Sequence, residues 1–231
     1  MQNLAITWLG HSSFRVRTPG GKELLFDPWY TGNPVFPEAA RPTKADLILV
    51  SHGHFDHFTD VAAMAKLTGA PVVANWEIYR HLEAKGLKNF EPMNKGGTIT
   101  VQGLRITMTD ARHSSSFEDN GVHYLGEAAG FVVKLENGQT IYFAGDTALF
   151  GDMKLIAELY KPDIAFLPIG DRFTMGPDTA AIAAKWLGVK QVVPMHCETF
   201  PMLTGTVEQL EQHLAGSGIE VLKLKPGETA Q

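Results

Sequence analysis

Leu47-Ile48-Leu49-Val50-Ser51-His52-Gly53-His54-Phe55-Asp56-His57 decides how the rest of this 231-residue chain is read. Four apolar residues run into a serine, and three histidines and an aspartate then fall within six positions. With only nine histidines in the chain, that density marks a site and not an incidental polar loop. The run Leu47–Val50 reads as a buried strand bounded by a turn. His52 and His54, two apart, face the same side of an extended or tightly turned backbone. Asp56 and His57 follow at the start of a helix and reach a second position nearby. Gly53 gives the backbone freedom to turn between them. Imidazole and carboxylate together are the ligand set of Zn²⁺, and they also suit Mn²⁺ or Fe.

Working outward, one loop supplies too few ligands for two ions, and three further candidates stand at strand ends. His113 opens the polar loop after Leu104–Thr109. Asp146 follows Thr140–Phe143 in Phe143-Ala144-Gly145-Asp146-Thr147. His196 follows Gln191–Pro194. Layered folds commonly place their sites at such strand ends. The other short apolar runs are Leu4–Leu9, Ser13–Arg17, Leu24–Phe26, Val72–Ala74, Thr98–Val101, Phe131–Leu135, Ile164–Ile169 and Glu220–Leu224. Asn137-Gly138 between two of them signals a two-residue hairpin turn. Helices are expected over Thr59–Leu67 (with Thr59-Asp60 as its N-cap pair), Glu77–Lys85, Asp152–Leu159, Pro177–Leu187 and Thr206–Leu214, each stopped by Gly or Pro. Strands alternating with helices in both halves give an α/β or α+β chain, a single domain over 1–231 built of two packed sheets.

Composition narrows the function. Apolar residues make up 44% of the chain and charged residues 19%, with 23 glycines, which fits a compact, loop-rich globular enzyme. The formal charge of −5 and the absence of a Lys/Arg-rich stripe disfavour nucleic acid and anionic membrane as partners. A single cysteine forms no internal disulfide, so nothing points to an oxidising compartment. No run reaches the ~18 apolar residues of a membrane span, and the N-terminus has no signal-peptide pattern. The expectation is a cytoplasmic protein acting on a small-molecule substrate, with room for a homo-oligomer.

His52-x-His54-x-Asp56-His57 followed by His113, Asp146 and His196 resembles the metallo-β-lactamase superfamily of metal-dependent hydrolases, over essentially the whole chain. Trp8-Leu9-Gly10-His11-Ser12-Ser13-Phe14 and Phe26-Asp27-Pro28-Trp29 are similar to its L-ascorbate-6-phosphate lactonase-like branch. The resemblance implies an α+β, four-layer αββα sandwich of two mixed sheets flanked by helices, with a binuclear site at one edge. It also implies a ligand assignment. His52, His54 and His113 would hold one divalent ion, and Asp56, His57 and His196 a second. Asp146 would bridge them, with Zn²⁺ expected first and Mn²⁺ or Fe as alternatives. No glutamate replaces a ligand histidine, which disfavours the flavo-diiron redox branch.

Two such ions roughly 3.5–4 Å apart share a water, lower its pKa and polarise a carbonyl or phosphoryl oxygen. The expected reaction is attack of that bridging hydroxide on an ester, lactone or related bond, with Asp56 ionised and orienting it or taking its proton. Alternatives are a phosphodiesterase on a small phosphorylated metabolite or lipid, or a weakly active metal-binding protein. His11 is expected near the pocket as proton donor or substrate contact. Asp27 is a candidate partner for a ligand histidine. Arg172 is either an anion contact or a solvated loop charge. His81 and His213 read as surface residues, His123 is unassigned, and Cys197 should point away from the metals. Trp29, Tyr30, Phe36, Phe173, Met175, Phe200 and Met202 fall partly in loops around the expected mouth.

Overall fold

A computed structural model describes residues 4–231, so Met1–Asn3 of the expected 1–231 domain lie outside it. Two seven-stranded mixed sheets stack face to face. The first runs Thr229–Ala230, Ala5–Trp8, Phe14–Arg17, Glu23–Phe26, Leu47–Leu49, Val72–Asn75 and Phe90–Met93 in spatial order. The second runs Glu220–Val221, Gln191–Met195, Ile164–Pro168, Thr140–Phe143, Ala129–Lys134, Leu104–Asp110 and Thr98–Val101. Helices Val61–Thr68 and Trp76–Ala84 cover the first sheet; Met153–Tyr160, Pro177–Leu187 and Val207–Leu214 cover the second. This is the expected αββα layering. No helix among the described residues is long and apolar enough to cross a membrane.

Alternation along the strands builds the layers. Leu24, Phe26, Leu47 and Leu49 point between the sheets, while Leu25, Ile48 and Val50 pack under the helices on the outer face. Parallel strands covered on both faces therefore read as unbroken apolar runs. An aromatic seam joins the sheets, with Phe26 stacked on Phe143 at 4.7 Å and Phe14 edge-on to Phe166 at 4.9 Å. Each such buried ring contributes about 1.5–3 kcal/mol.

Several local expectations are corrected. Leu135 N donates to Gln139 O and Gly138 has φ +85°, so the hairpin at Asn137 has a three-residue loop with Gly in the left-handed position. Asp60 occupies the N-cap position of the Val61–Thr68 helix, but its side chain makes no capping hydrogen bond. Its carboxylate accepts instead from Tyr30 N, Thr31 N and Thr31 Oγ1 at 2.6–2.8 Å, tying down the loop after Pro28. The edge strand Phe90–Met93 hides behind Glu91 and Pro92, a composition tolerated only at a sheet margin. Ser116–Glu118 and Val122–Tyr124 form a separate small hairpin. The strand Thr229–Ala230 extends the first sheet beside Ala5–Trp8.

Candidate metal centre

Every candidate ligand leaves a strand at the same edge of the sandwich. His11 follows Ala5–Trp8, and His52 to His57 follow Leu47–Leu49. His113, Asp146 and His196 follow Leu104–Asp110, Thr140–Phe143 and Gln191–Met195. A helical turn, Phe55–Phe58, carries Asp56 and His57 inward. Gly53 is required by packing and not by a left-handed turn, a correction to the sequence reading: a Cβ there would meet the Leu125 side chain at 2.5 Å. Gly170 passes under His196, where a Cβ would stand 2.0 Å from the His196 carbonyl oxygen. His11, Asp27 and His196 all hold positive φ, at +56°, +42° and +54°. Left-handed backbone at non-glycine residues costs energy and gathers at functional sites.

The side chains form two groups. In the first, His54 Nδ1 lies 3.1 Å from His52 Nε2 and 3.2 Å from His113 Nε2. Burial lowers the pKa of all three histidines, so they are neutral near pH 7. Converging neutral nitrogens repel unless a proton or a cation lies between them. Tetrahedral bonds of 2.0–2.1 Å would separate ligand nitrogens by about 3.3–3.4 Å, close to the spacing found. The second group gathers His11, Asp56, His57 and His196, all buried.

Asp146 stands between the groups. Its Oδ2 is 3.9 Å from His52 Nε2, 3.7 Å from His113 Nε2, 3.3 Å from His57 Nε2 and 2.9 Å from His196 Nε2. Asp146 Oδ1 and His57 Nε2 are buried without a hydrogen-bond partner. An unmet buried polar atom costs about 1–3 kcal/mol, so these atoms mark a place for a cation. The electrostatics agree. Burial works against ionising Asp146 and Asp56, yet the surrounding imidazoles, His196 and His57 for Asp146 and His57 and His11 for Asp56, hold both carboxylates below their ordinary range. Burial likewise opposes charge on His57, but Asp146 and Asp56 push its pKa well above the ordinary value. The cluster draws positive charge to itself.

Asp27 is the buried anchor beneath both groups. Its Oδ1 accepts from Ser51 N at 2.7 Å, and its Oδ2 accepts from Ser51 Oγ at 2.5 Å and His57 Nδ1 at 2.8 Å. Burial raises its pKa, and donation from His57 and Ser51 opposes that rise. Ser51 Oγ also meets His52 Nδ1 at 2.9 Å. With protons placed to satisfy this chain, His52 presents a bare Nε2 to the cluster, and His57 aims its Nε2 there to hold a proton or, in its place, an ion. Sequence reasoning found Asp27 but missed Ser51, which looked like the end of a strand.

His11 is enclosed completely. Its Nε2 lies 3.0 Å from Asp56 Oδ2 and its Nδ1 2.9 Å from Thr199 Oγ1, while Trp29 packs edge-on at 5.2 Å. Burial brings its pKa down to about 4, with His196 adding to the effect. Neutral His11 carries one proton to share between Asp56 and Thr199, whose own hydroxyl donates to the Cys197 carbonyl at 3.1 Å. The ring does not line the cavity above the cluster. Thr199 had no signal in the sequence, since it lies 188 residues from its partner.

That cavity, about 440 Å³, has a floor of His54, Asp56, His113, Asp146 and His196. Of the loop aromatics and methionines named from sequence, Phe173, Phe200 and Met202 line it. Trp29, Tyr30 and Met175 are core residues, and Phe36 stacks on Tyr30. Phe55, inside the histidine motif, lines the mouth and was missed. Arg172 is exposed and not part of the lining, with its guanidinium 5.7 Å from the Phe173 ring centre. Cys197 is a fully buried core residue whose thiol is pushed up by burial, outside every cluster of potential ligands. His213 is exposed; His81 is half-buried, a departure from the surface reading, and its ring lies 5.1 Å from that of His123.

Known proteins are similar to this chain in sequence and fold. The family model of the beta-lactamase superfamily domain matches residues 22–197. A UPF0173 metal-dependent hydrolase of Rubrobacter xylanophilus is 53% identical over 228 residues, covering 96% of this chain and 94% of that protein. One from Solibacter usitatus is 47% identical, covering 99% and 100%. Among solved structures, a novel metallo hydrolase from the archaeon Ignicoccus hospitalis superposes with TM-score 0.88 at 35% identity, covering 98% of this chain and 97% of that one. An isothiocyanate hydrolase from Delia radicum gut bacteria, at TM-score 0.73 and 21% identity over 98% of both chains, shares the fold.

Proposed function

This chain belongs to the beta-lactamase superfamily of metal-dependent hydrolases, and we propose that it works with two divalent ions to cleave an ester or lactone bond in a small molecule. His52, His54 and His113 would hold one ion; Asp56, His57 and His196 would hold the other; Asp146 would serve both. The observation that carries two ions is Asp146 Oδ2, which stands within 2.9–3.9 Å of nitrogens from both groups. Zn²⁺ suits these donors best, with Mn²⁺ or Fe also compatible. Such a pair of ions would supply Lewis acidity, making a water nucleophilic and polarising the bond it attacks.

The chain's own residues do the rest. Asp56 lines the cavity and is held ionised by His57 and His11, against the effect of burial, so it can accept a proton from the attacking water. Hydrolysis joins the water's OH to the acyl carbon, breaks the bond to the leaving oxygen and returns a proton to that oxygen. His11 acts through Asp56, fixing the carboxylate by its 3.0 Å contact while Thr199 fixes the ring. We take it as a positioning residue and not as the donor to substrate, because it is sealed from the cavity.

Metal analysis paired with a screen of esters, lactones and phosphodiesters tests this reading, using the wild type and Asp146→Ala. Expected are about two ions per chain, ester or lactone turnover, and loss of both in the variant. Fewer than about one ion in metal-replete protein, with no hydrolysis, would sink it.

A further inference from the structure

The wall of the cavity differs from its floor. Phe55, Phe173, Phe200 and Met202 form its apolar part beside Ser114, contributed by the helical turn within the histidine motif and by the loops after Ile164–Pro168 and Gln191–Met195. Phe55, Phe173 and Met202 are 55%, 51% and 47% exposed. Large apolar side chains left in water from separate segments, yet facing one opening, mark a surface that is covered when a ligand binds. Among the described residues no Lys or Arg lines it. Arg172 stands outside the lining. Arg112 Nε is paired with Asp110 at 3.0 Å, and its guanidinium lies 5.9 Å from the Phe150 ring centre. Phosphate and carboxylate groups are ordinarily held by an Arg fork or a Lys. An anionic group placed against these rings would lose its water and gain no partner.

Resting on the hydrolase reading, we propose that the part of the substrate filling this cavity is an uncharged alkyl or aryl group, selected by Phe55, Phe173, Phe200 and Met202. The volume of about 440 Å³ lies at the small end of ligand pockets, which fits a short chain or one ring and not a polymer. A phosphorylated metabolite, whose charge lies away from the cleaved bond, is thereby disfavoured.

Two matched comparisons test the proposal. The first uses metal-loaded protein with p-nitrophenyl butyrate and mono-p-nitrophenyl succinate, acyl chains of equal length of which only the second ends in a carboxylate. Butyrate should be turned over with kcat/KM at least about tenfold higher, and p-nitrophenyl acetate should lag behind butyrate by a similar factor. The second uses metal-free protein and calorimetry with hexanamide and with adipamate, the same chain ending in a carboxylate. Hexanamide should bind and adipamate should not. Phe173→Ala and Met202→Ala, at half-exposed positions that leave the core intact, should each weaken hexanamide binding about fivefold. Equal turnover of butyrate and succinate, or hexanamide binding untouched by both substitutions, overturns the proposal while leaving the hydrolase reading standing. Hexanamide binding without hydrolysis of any ester or lactone supports the apolar wall and defeats the ester-or-lactone reading instead.

Discussion

His52, His54 and His113 on one side of Asp146 meet solvent differently from His11, Asp56, His57 and His196 on the other. His54 and His113 are half-buried, and the outer nitrogen of His54 rests on the exposed Ser114 at 3.3 Å. The opposite group is buried throughout, with His57 locked by Asp27 and Asp56 by His11. The contrast teaches that ligand identity and ligand rigidity are separate properties. One group is open to exchange; the other is fixed before any ion arrives.

The largest expected effect comes from emptying one position in each group and measuring denaturation of the metal-free protein. His57→Ala leaves Asp27, Asp56 and Asp146 facing each other without their central imidazole. It should destabilise by about 3–5 kcal/mol, as removing one partner from a buried charge cluster does. His54→Ala, half-buried at the cavity floor, should cost under about 1 kcal/mol. Equal losses would erase the contrast between the groups.

Metal affinity sharpens the comparison next. In Asp27→Asn the amide nitrogen can face His57 Nδ1 only as a donor, which drives the His57 proton to Nε2 and blocks that ligand. Affinity for the ion of the buried group should fall about 10–100-fold, read by competition with a chromophoric chelator. An unchanged affinity would mean that Asp27 does not set the tautomer.

Smaller still is the effect of His11→Ala. Metal content should hold while kcat drops about tenfold, as when a group that orients another is removed, and His11→Gln, which can still donate to Asp56, should recover part of it. A change in KM alone would instead make His11 a substrate contact. Ser114→Ala should be the mildest, below about twofold in affinity for the open group's ion, since its hydroxyl is already solvated.

The candidate ligands could be picked out because four of the seven fall within six residues and the other three sit at strand ends. Short apolar runs likewise announced twelve strands to within a residue or two for most. What stayed hidden depends on distance along the chain. Ser51 and Thr199 carry no pattern of their own; they matter through Asp27, 24 residues away, and His11, 188 residues away. Phe55 was overshadowed by the histidines around it, though helical geometry turns it to the mouth as Asp56 and His57 turn inward. Asp60 looked like a helix cap because short-range rules see only neighbours, and a loop 29 residues upstream outcompeted the helix for its oxygens.

Asp27 Oδ2 receives the Ser51 hydroxyl, which meets His52, and the Nδ1 of His57. A single oxygen thus spans the boundary between the open and the buried group. An ion that fixes the proton on one imidazole changes the company in which the other must choose its own. In the proposed two-ion centre, the second ion would by reciprocity meet a site already biased by the first. A titration with metal should rise more steeply than two independent isotherms, and cutting the link at Ser51→Ala should return it to their simple sum.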